Sequence, residues 1–232
     1  MVWTLVIPSM FGAYSPDGDF VGWRERLTAY YRHEMTPEER SKTDIPAYIY
    51  DVVKKFILER FSPRNYRNLT PLMPHEVPET FKTKKTVTKL DSLVKLTDRL
   101  LAVDETLKGI IEQLEPGVHE FYPIKIIMPK NQPFPKNYFL IVIGQYLESF
   151  SPAKSVSGSW EESEDVPGRY SCSGTTEEEI SGLAFERAVI GKAHLWGERN
   201  MRSGDAFLSD TLQSEITKAG LKISKFIRVM EV

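Results

Sequence analysis

The chain has 232 residues, 41% of them apolar and 27% charged, a composition that builds a folded core and excludes an intrinsically disordered chain. A formal net charge of −2 excludes the strongly basic balance of a dedicated nucleic-acid binder. The single cysteine, Cys172, excludes an intrachain disulfide and a cysteine-based metal cluster, and no apolar run approaches the roughly 20 residues of a membrane-spanning helix.

The first stretch, MVWTLVIPSMFGAYS, is apolar, but it lacks the basic start of a signal peptide and carries Pro8. It reads as a first β-strand, and the expectation is a soluble, cytoplasmic protein. Tyr14 to Asp19 is turn chemistry. Two helices follow, one with Val21, Trp23, Leu27, Tyr30 and Tyr31 roughly on one side, the other running from Ala47 to Phe61. Ser62-Pro63 would end the second, and Asn68 to Pro78, with three prolines, reads as a connection. These features predict a mainly helical N-terminal subdomain over 1–80 and an α+β domain over 81–232. Lys82, Lys84, Lys85, Lys89, Lys95 and Arg99 read as a solvated edge strand followed by a polar helix face. No aromatic residues alternate with them as stacking platforms for nucleic acid.

Beyond Val118 the chain turns β-like, with strands expected over Tyr122–Met128 and Tyr138–Ile143 and a long hairpin connection, KNQPFPKN, between them. Ser151 to Thr176 reads as a long loop, acidic at Glu161, Glu162, Glu164 and Asp165 beside Trp160 and Tyr170. Short strands are expected over Leu183–Val189 and Ala193–Trp196.

Two segments echo each other. VDETLKGIIEQLEPGVHEF, from Val103, slides without a gap onto LSDTLQSEITKAGLKISKF, from Leu208. Thr106 then meets Thr211, Leu107 meets Leu212, Ile111 meets Ile216 and Phe121 meets Phe226. Ser209 or Asp210, like Asp104 or Glu105, can cap a helix, and Gly220 or Pro116-Gly117 can stop one. The shared positions offer no common nucleophile, base or metal ligand. The fold class expected is therefore α+β, with a mixed or antiparallel sheet core, packed helices and two similar helix–turn–strand units.

The ending IGKAHLWGERNMRSGDAFLSDTLQSEITKAGLKISKFIRV resembles the C-terminal signature of a bacterial immunity-protein family associated with polymorphic and contact-delivered toxins, long classed as a domain of unknown function. Ala193-His194-Leu195-Trp196 is similar to its conserved strand, and Leu208 to Val229 to its final block. Leu100 to Ile124 is similar to its other recurring element, with Asp104 in place of the usual serine. Ile223 or Ser224 stands where the family carries a small residue. The resemblance covers about residues 85–232. It implies a cytoplasmic protein that binds and blocks a cognate toxin by protein–protein interaction, with a homodimer as a further option.

The residues themselves suggest no enzyme, and no catalytic, cofactor-binding or metal-binding residue is assigned. HExxH, P-loop and GxGxxG motifs are absent, and His33, His75, His119 and His194 are scattered. His119 reads as a half-exposed strand residue, and Cys172, in acidic sequence, as an inert thiol. A partner surface needs aromatic anchors and complementary charge. Trp160, Glu161, Glu162, Glu164, Asp165 and Tyr170 supply both, and the turn 197–205 with Arg199 and Arg202 is a rival surface. The alternatives to an immunity function are a small carboxylate-based hydrolase or nucleotide-modifying enzyme, and a phage or secretion-system adaptor.

Overall fold

The computed structural model describes residues 1–57, 71–174, 176–201 and 206–232. It is an α+β fold with mixed sheets. Strand β1 (Val2–Val6) is followed by β2 (Gly18–Phe20) and the helices α1 (Trp23–His33), α2 (Pro37–Arg40) and α3 (Ile45–Phe56). Helix α2 starts at a capping box in which the Thr36 side chain and Glu39 satisfy each other's amides. Helix α3 starts where the Asp44 side chain accepts from the Ala47 N–H and stops at Ile57, whose backbone is extended. Its start thus precedes the expected Ala47, while Phe61, Ser62-Pro63 and Asn68–Thr70 lie outside the described residues. The N-terminal part, expected to be mostly helical, combines its helices with β1 and β2.

The next strands are β3 (Thr80–Thr83), β4 (Leu93–Lys95) and β5 (Leu101–Asp104). Helix α4 (Glu105–Leu114) leads to β6 (Glu120–Met128), β7 (Gln132–Pro133), β8 (Tyr138–Val142) and β9 (Tyr146–Leu147). A small hairpin, β10 (Trp160–Glu162) and β11 (Tyr170–Cys172), precedes α5 (Glu177–Ser181), β12 (Ala184–Phe185) and α6 (Arg187–Ile190). The chain continues through β13 (Leu195–Glu198), β14 (Phe207–Ser209), α7 (Asp210–Lys218) and β15 (Lys225–Glu231).

Three expectations are corrected here. The loop over 151–176 contains the β10–β11 hairpin. The strand expected over Leu183–Val189 is cut to β12, because residues from Arg187 turn into α6. The lysine-bearing β3 is not an edge strand: it pairs antiparallel with β2 and parallel with β6, and no α-helix follows it over 84–99.

Two large sheets result, in the orders β2-β3-β6-β8-β5-β4 (with β7 on β6) and β12-β15-β1-β14-β13-β9. Their registers correspond residue by residue. Val103 faces Phe139 as Leu208 faces Trp3. Phe121 faces Ile141 as Phe226 faces Leu5. Phe81 pairs parallel with Ile126 as Phe185 does with Glu231. Each unit therefore places a helix between two parallel strands and inserts an antiparallel strand between them. In the first unit that strand is β8, which follows β6; in the second it is β1, the first strand of the chain.

Strands such as β5, β8, β13 and β14 are covered on both faces, which is why β8 reads Tyr-Phe-Leu-Ile-Val with no polar alternation. One core cluster joins α1 and α3 to the outer face of the first sheet through Trp23, Leu27, Val52, Phe56, Phe81 and Leu140. A second lies between the two units, where α4 and α7 pack together through Leu107, Ile111, Leu212 and Ile216 over Val103, Ile141, Leu5 and Leu208. A third lies on the far face of the second sheet, where Val2, Phe185, Trp196 and Phe207 of its strands pack with Phe150, Ile180 and Ile190. Phe81 and Phe185 occupy equivalent places and are both fully buried. Phe81→Ala and Phe185→Ala should each cost about 3–5 kcal/mol in denaturant unfolding, the scale of emptying a packed phenylalanine site.

Candidate functional site

The acidic stretch singled out in the sequence is the β10–β11 hairpin. Trp160 faces Cys172 and Glu162 faces Tyr170 across it. Trp160 and Tyr170 meet edge to face at 5.2 Å, and both lie on Phe150, at 6.2 and 5.3 Å. These two aromatics are half-buried and root the hairpin in the third core cluster. Glu161, Glu162, Glu164 and Asp165 are exposed on it. Glu162 accepts a 2.6 Å hydrogen bond from the Gly168 N–H, where a positive φ of 76° suits glycine.

The rival surface lies against this one. The Tyr170 N–H donates to the Asn200 carbonyl at 2.7 Å, and Tyr170 bridges Met201. Arg199 follows β13, its N–H on the Leu147 carbonyl and its guanidinium 3.9 Å from Glu148. Two stretches that sequence separates thus form one continuous surface; Arg202 lies outside the described residues.

Under this surface sits Glu198, fully enclosed. It accepts from the Ser149 N–H at 2.9 Å, the Phe150 N–H at 3.2 Å, the Trp196 indole at 2.9 Å and the Ser149 hydroxyl. Burial pushes its carboxyl up to about 7, and these bonds only partly oppose it. Glu198 therefore fixes the segment after β9 that carries Phe150, the platform on which the hairpin aromatics rest.

A second buried carboxylate, Glu115, collects His119 and His194, which sequence left scattered. It accepts from His119 Nε2 at 2.8 Å, Gln145 Nε2 at 2.5 Å, and the His194 and Leu195 N–H groups at 2.6 and 2.9 Å. Burial acts to raise this carboxyl, but the bonds from His119, His194 and Gln145 hold it below its usual range. His119, expected half-exposed, is buried because it turns back toward Glu115. The Gly144 N–H donates to its Nδ1 at 3.2 Å, so the proton given to Glu115 sits on Nε2.

The imidazole of His194 lies 2.7 Å from the Ser209 hydroxyl, the closest approach here to a nucleophile and a base. Ser209 is the N-cap of α7, accepting from the Leu212 N–H at 3.2 Å. The equivalent place in the other unit is Asp104, which caps α4 by accepting from the Leu107 N–H at 3.0 Å. A position that takes either serine or aspartate is chosen for an oxygen acceptor, not for a nucleophile. Burial pushes the Cys172 thiol up against a bond from the Gly174 backbone, and the Glu179 charge adds to it, so the thiolate is disfavoured. Among the described residues no three His, Cys, Asp or Glu side chains are grouped to hold a metal ion.

One further polar cluster was not legible in sequence. Lys55 and Glu76 form a buried ion pair at 2.6 Å, and beside it His75 stacks on Tyr30 at 3.6 Å and bonds the Tyr48 hydroxyl at 3.0 Å. Burial, the largest influence, keeps His75 below its usual range, which suits a neutral ring on that hydroxyl.

The model of one family, described as the immunity protein family Imm11, matches residues 33–231. No curated protein matches the chain.

Ser209→Ala should lower stability by about 1 kcal/mol, the worth of an N-cap, and Ser209→Asp should restore it. Both should be read by denaturant unfolding. Glu198 makes stability depend on pH. Its folded pKa of about 7 lies above its usual 4.5, so the native state holds the proton more tightly than the unfolded chain. That contribution, up to about 3 kcal/mol, is complete below pH 4.5 and disappears as pH rises through 7. Unfolding curves between those limits should fall less steeply with pH in Glu198→Gln than in the wild type.

Proposed function

The chain belongs to the immunity protein family Imm11, and we infer from this that it binds and neutralises a cognate bacterial toxin by stoichiometric association rather than by catalysis. The family match over residues 33–231 is the observation that carries the reading. Local chemistry supports it. The carboxylates Glu115 and Glu198 end on backbone amides and neighbouring side chains, and Ser209 caps a helix. These are structural assignments of the groups that an acid–base or nucleophilic enzyme would use. No helix of the described residues is long and apolar enough to cross a membrane. A cytoplasmic location, where an incoming toxin would act, is part of the proposal, as is delivery of that toxin by a polymorphic or contact-dependent system.

The surface we assign first to the toxin is the hairpin with Trp160, Glu161, Glu162, Glu164, Asp165 and Tyr170, continuous with Arg199. Exposed carboxylates on a rooted two-stranded element suit a basic toxin surface. Its charge would steer encounter, and its anchored aromatics would limit the ordering cost of binding.

Co-expression with a candidate toxin domain encoded by a neighbouring gene tests the reading. The toxin alone should arrest growth, and this protein should restore it and co-elute with the toxin in equal amounts. Rescue without a stable complex would instead favour an enzyme. Glu161→Lys, Glu162→Lys, Glu164→Lys and Asp165→Lys together should weaken toxin binding at least about tenfold if this surface docks it.

A further inference from the structure

Far from the acidic hairpin in sequence, three exposed lysines and an exposed apolar tip lie on segments that are tied together through residues 91–95. Met10 and Phe11 are 72% and 69% exposed, the most open large apolar side chains among the described residues. The loop that carries them is braced. Gly12 and Ser15 exchange backbone hydrogen bonds at 2.9 and 3.1 Å. The Ala13 carbonyl accepts from the Asp91 N–H at 2.9 Å, the Tyr14 carbonyl accepts from the Lys95 N–H at 2.8 Å, and the Ser15 hydroxyl donates to the Lys95 carbonyl at 3.0 Å. Two apolar side chains held in water on a fixed base pay little ordering entropy when something covers them.

The same 91–92 segment anchors the lysines. The Ser92 N–H donates to the Lys222 carbonyl at 2.7 Å, next to the Asp91 bond that holds the tip's loop. Lys222, the largest influence, holds Lys89 below its ordinary range, with Lys136 adding to it and Asp91 opposing. The Asp104 N–H donates to the Ser92 carbonyl at 2.8 Å, which ties the partner of Lys136 to the same segment. Lys136 reaches Asp104 at 3.3 Å, but Asp104 is buried and already caps α4 with its other oxygen. Lys89, Lys136 and Lys222 come from three separate chain segments and all are exposed. Two ammonium groups placed side by side repel each other, and an anion set between them removes the repulsion.

We propose that Met10, Phe11, Lys89, Lys136 and Lys222 form a docking surface for an acidic protein segment that carries an apolar side chain. The proposal rests on the toxin-binding reading for the identity of the partner, and adds to the hairpin a second contact of opposite charge. The lysines receive the carboxylates, and the Met10–Phe11 tip receives the apolar residue. Charge complementarity points to an acidic partner, and the tip selects protein over nucleic acid. Methionine beside a single phenylalanine offers no run of stacking platforms, and the overall charge of −2 disfavours a polyanionic duplex.

The test uses the full chain and a fluorescent Glu/Asp-rich peptide bearing one leucine. Its lysine-rich counterpart, duplex DNA and phosphatidylserine vesicles serve as competitors. The wild type should bind the acidic peptide, more weakly as salt rises. Lys89→Glu with Lys222→Glu, and separately Met10→Ser with Phe11→Ser, should each weaken it by about tenfold or more, with circular dichroism and melting unchanged. Equal binding by wild type and variants, or preference for DNA or vesicles through these residues, would overturn the proposal. Co-expression separates the two readings. If the wild type fails to rescue growth, the toxin reading falls and peptide binding alone decides the surface. If the wild type and both double variants rescue equally and bind the toxin with equal affinity, the surface falls and the toxin reading stands.

Discussion

The carboxylate of Glu115 is the point on which the two halves of this molecule are joined. It ends α4, and its two oxygens take donors from the turn before β6, from the link between β8 and β9, and from the start of β13. A buried carboxylate without such partners would be driven to take up a proton, whereas here the donors hold it ionised. The arrangement sets strict demands on its surroundings. His119 must keep one tautomer, and residue 144 must be glycine, since a Cβ there would lie 1.7 Å from the Val118 carbonyl oxygen. The chain leaves the first sheet at this link and reaches the edge of the second through β9, parallel to β13.

Around that joint the molecule repeats itself. Helices α4 and α7 begin at equivalent caps, carry the same leucine and isoleucine positions, and pack together in the core between the sheets. The units differ in what covers their outer faces. The first is covered by α1 and α3, the second by Phe150, Ile180, Ile190 and the rooted hairpin. The units thus differ mainly in these outer coverings, and the close-packed core between them allows little change in volume. A binding protein gains from this division, since one rigid scaffold can carry different partner surfaces.

Charge is divided in the same way. The hairpin side is acidic, the side around Lys89 and Lys222 is basic, and a net charge near zero conceals both. Glu198 connects the hairpin's root to solution conditions, since its carboxyl changes charge near neutrality while enclosed under Phe150.

The local elements were legible in the sequence because their causes are local. Caps at Asp104 or Glu105 and at Ser209 or Asp210, Leu107–Ile111 and Leu212–Ile216 as stripes, and the apolar run of β8 follow from helix and strand signals, and the structure selects Asp104 and Ser209 as the caps. The small residues around Cys172 hid the hairpin, because three-residue strands are too short to show alternation. Tertiary structure alone decided that β1 completes the second sheet, that His119 and His194 converge on Glu115, and that Asn200 lies on Tyr170. It also decided that the loop carrying Met10 and Phe11 is held by Asp91 and Lys95, on the segment that bonds Lys222. Each of these is a contact between residues far apart in the chain, and no period or cap in a sequence records which distant strand a segment will pair with. Periodicity and caps determined what the longer helices and strands are, and tertiary packing determined the short elements and what each segment lies against.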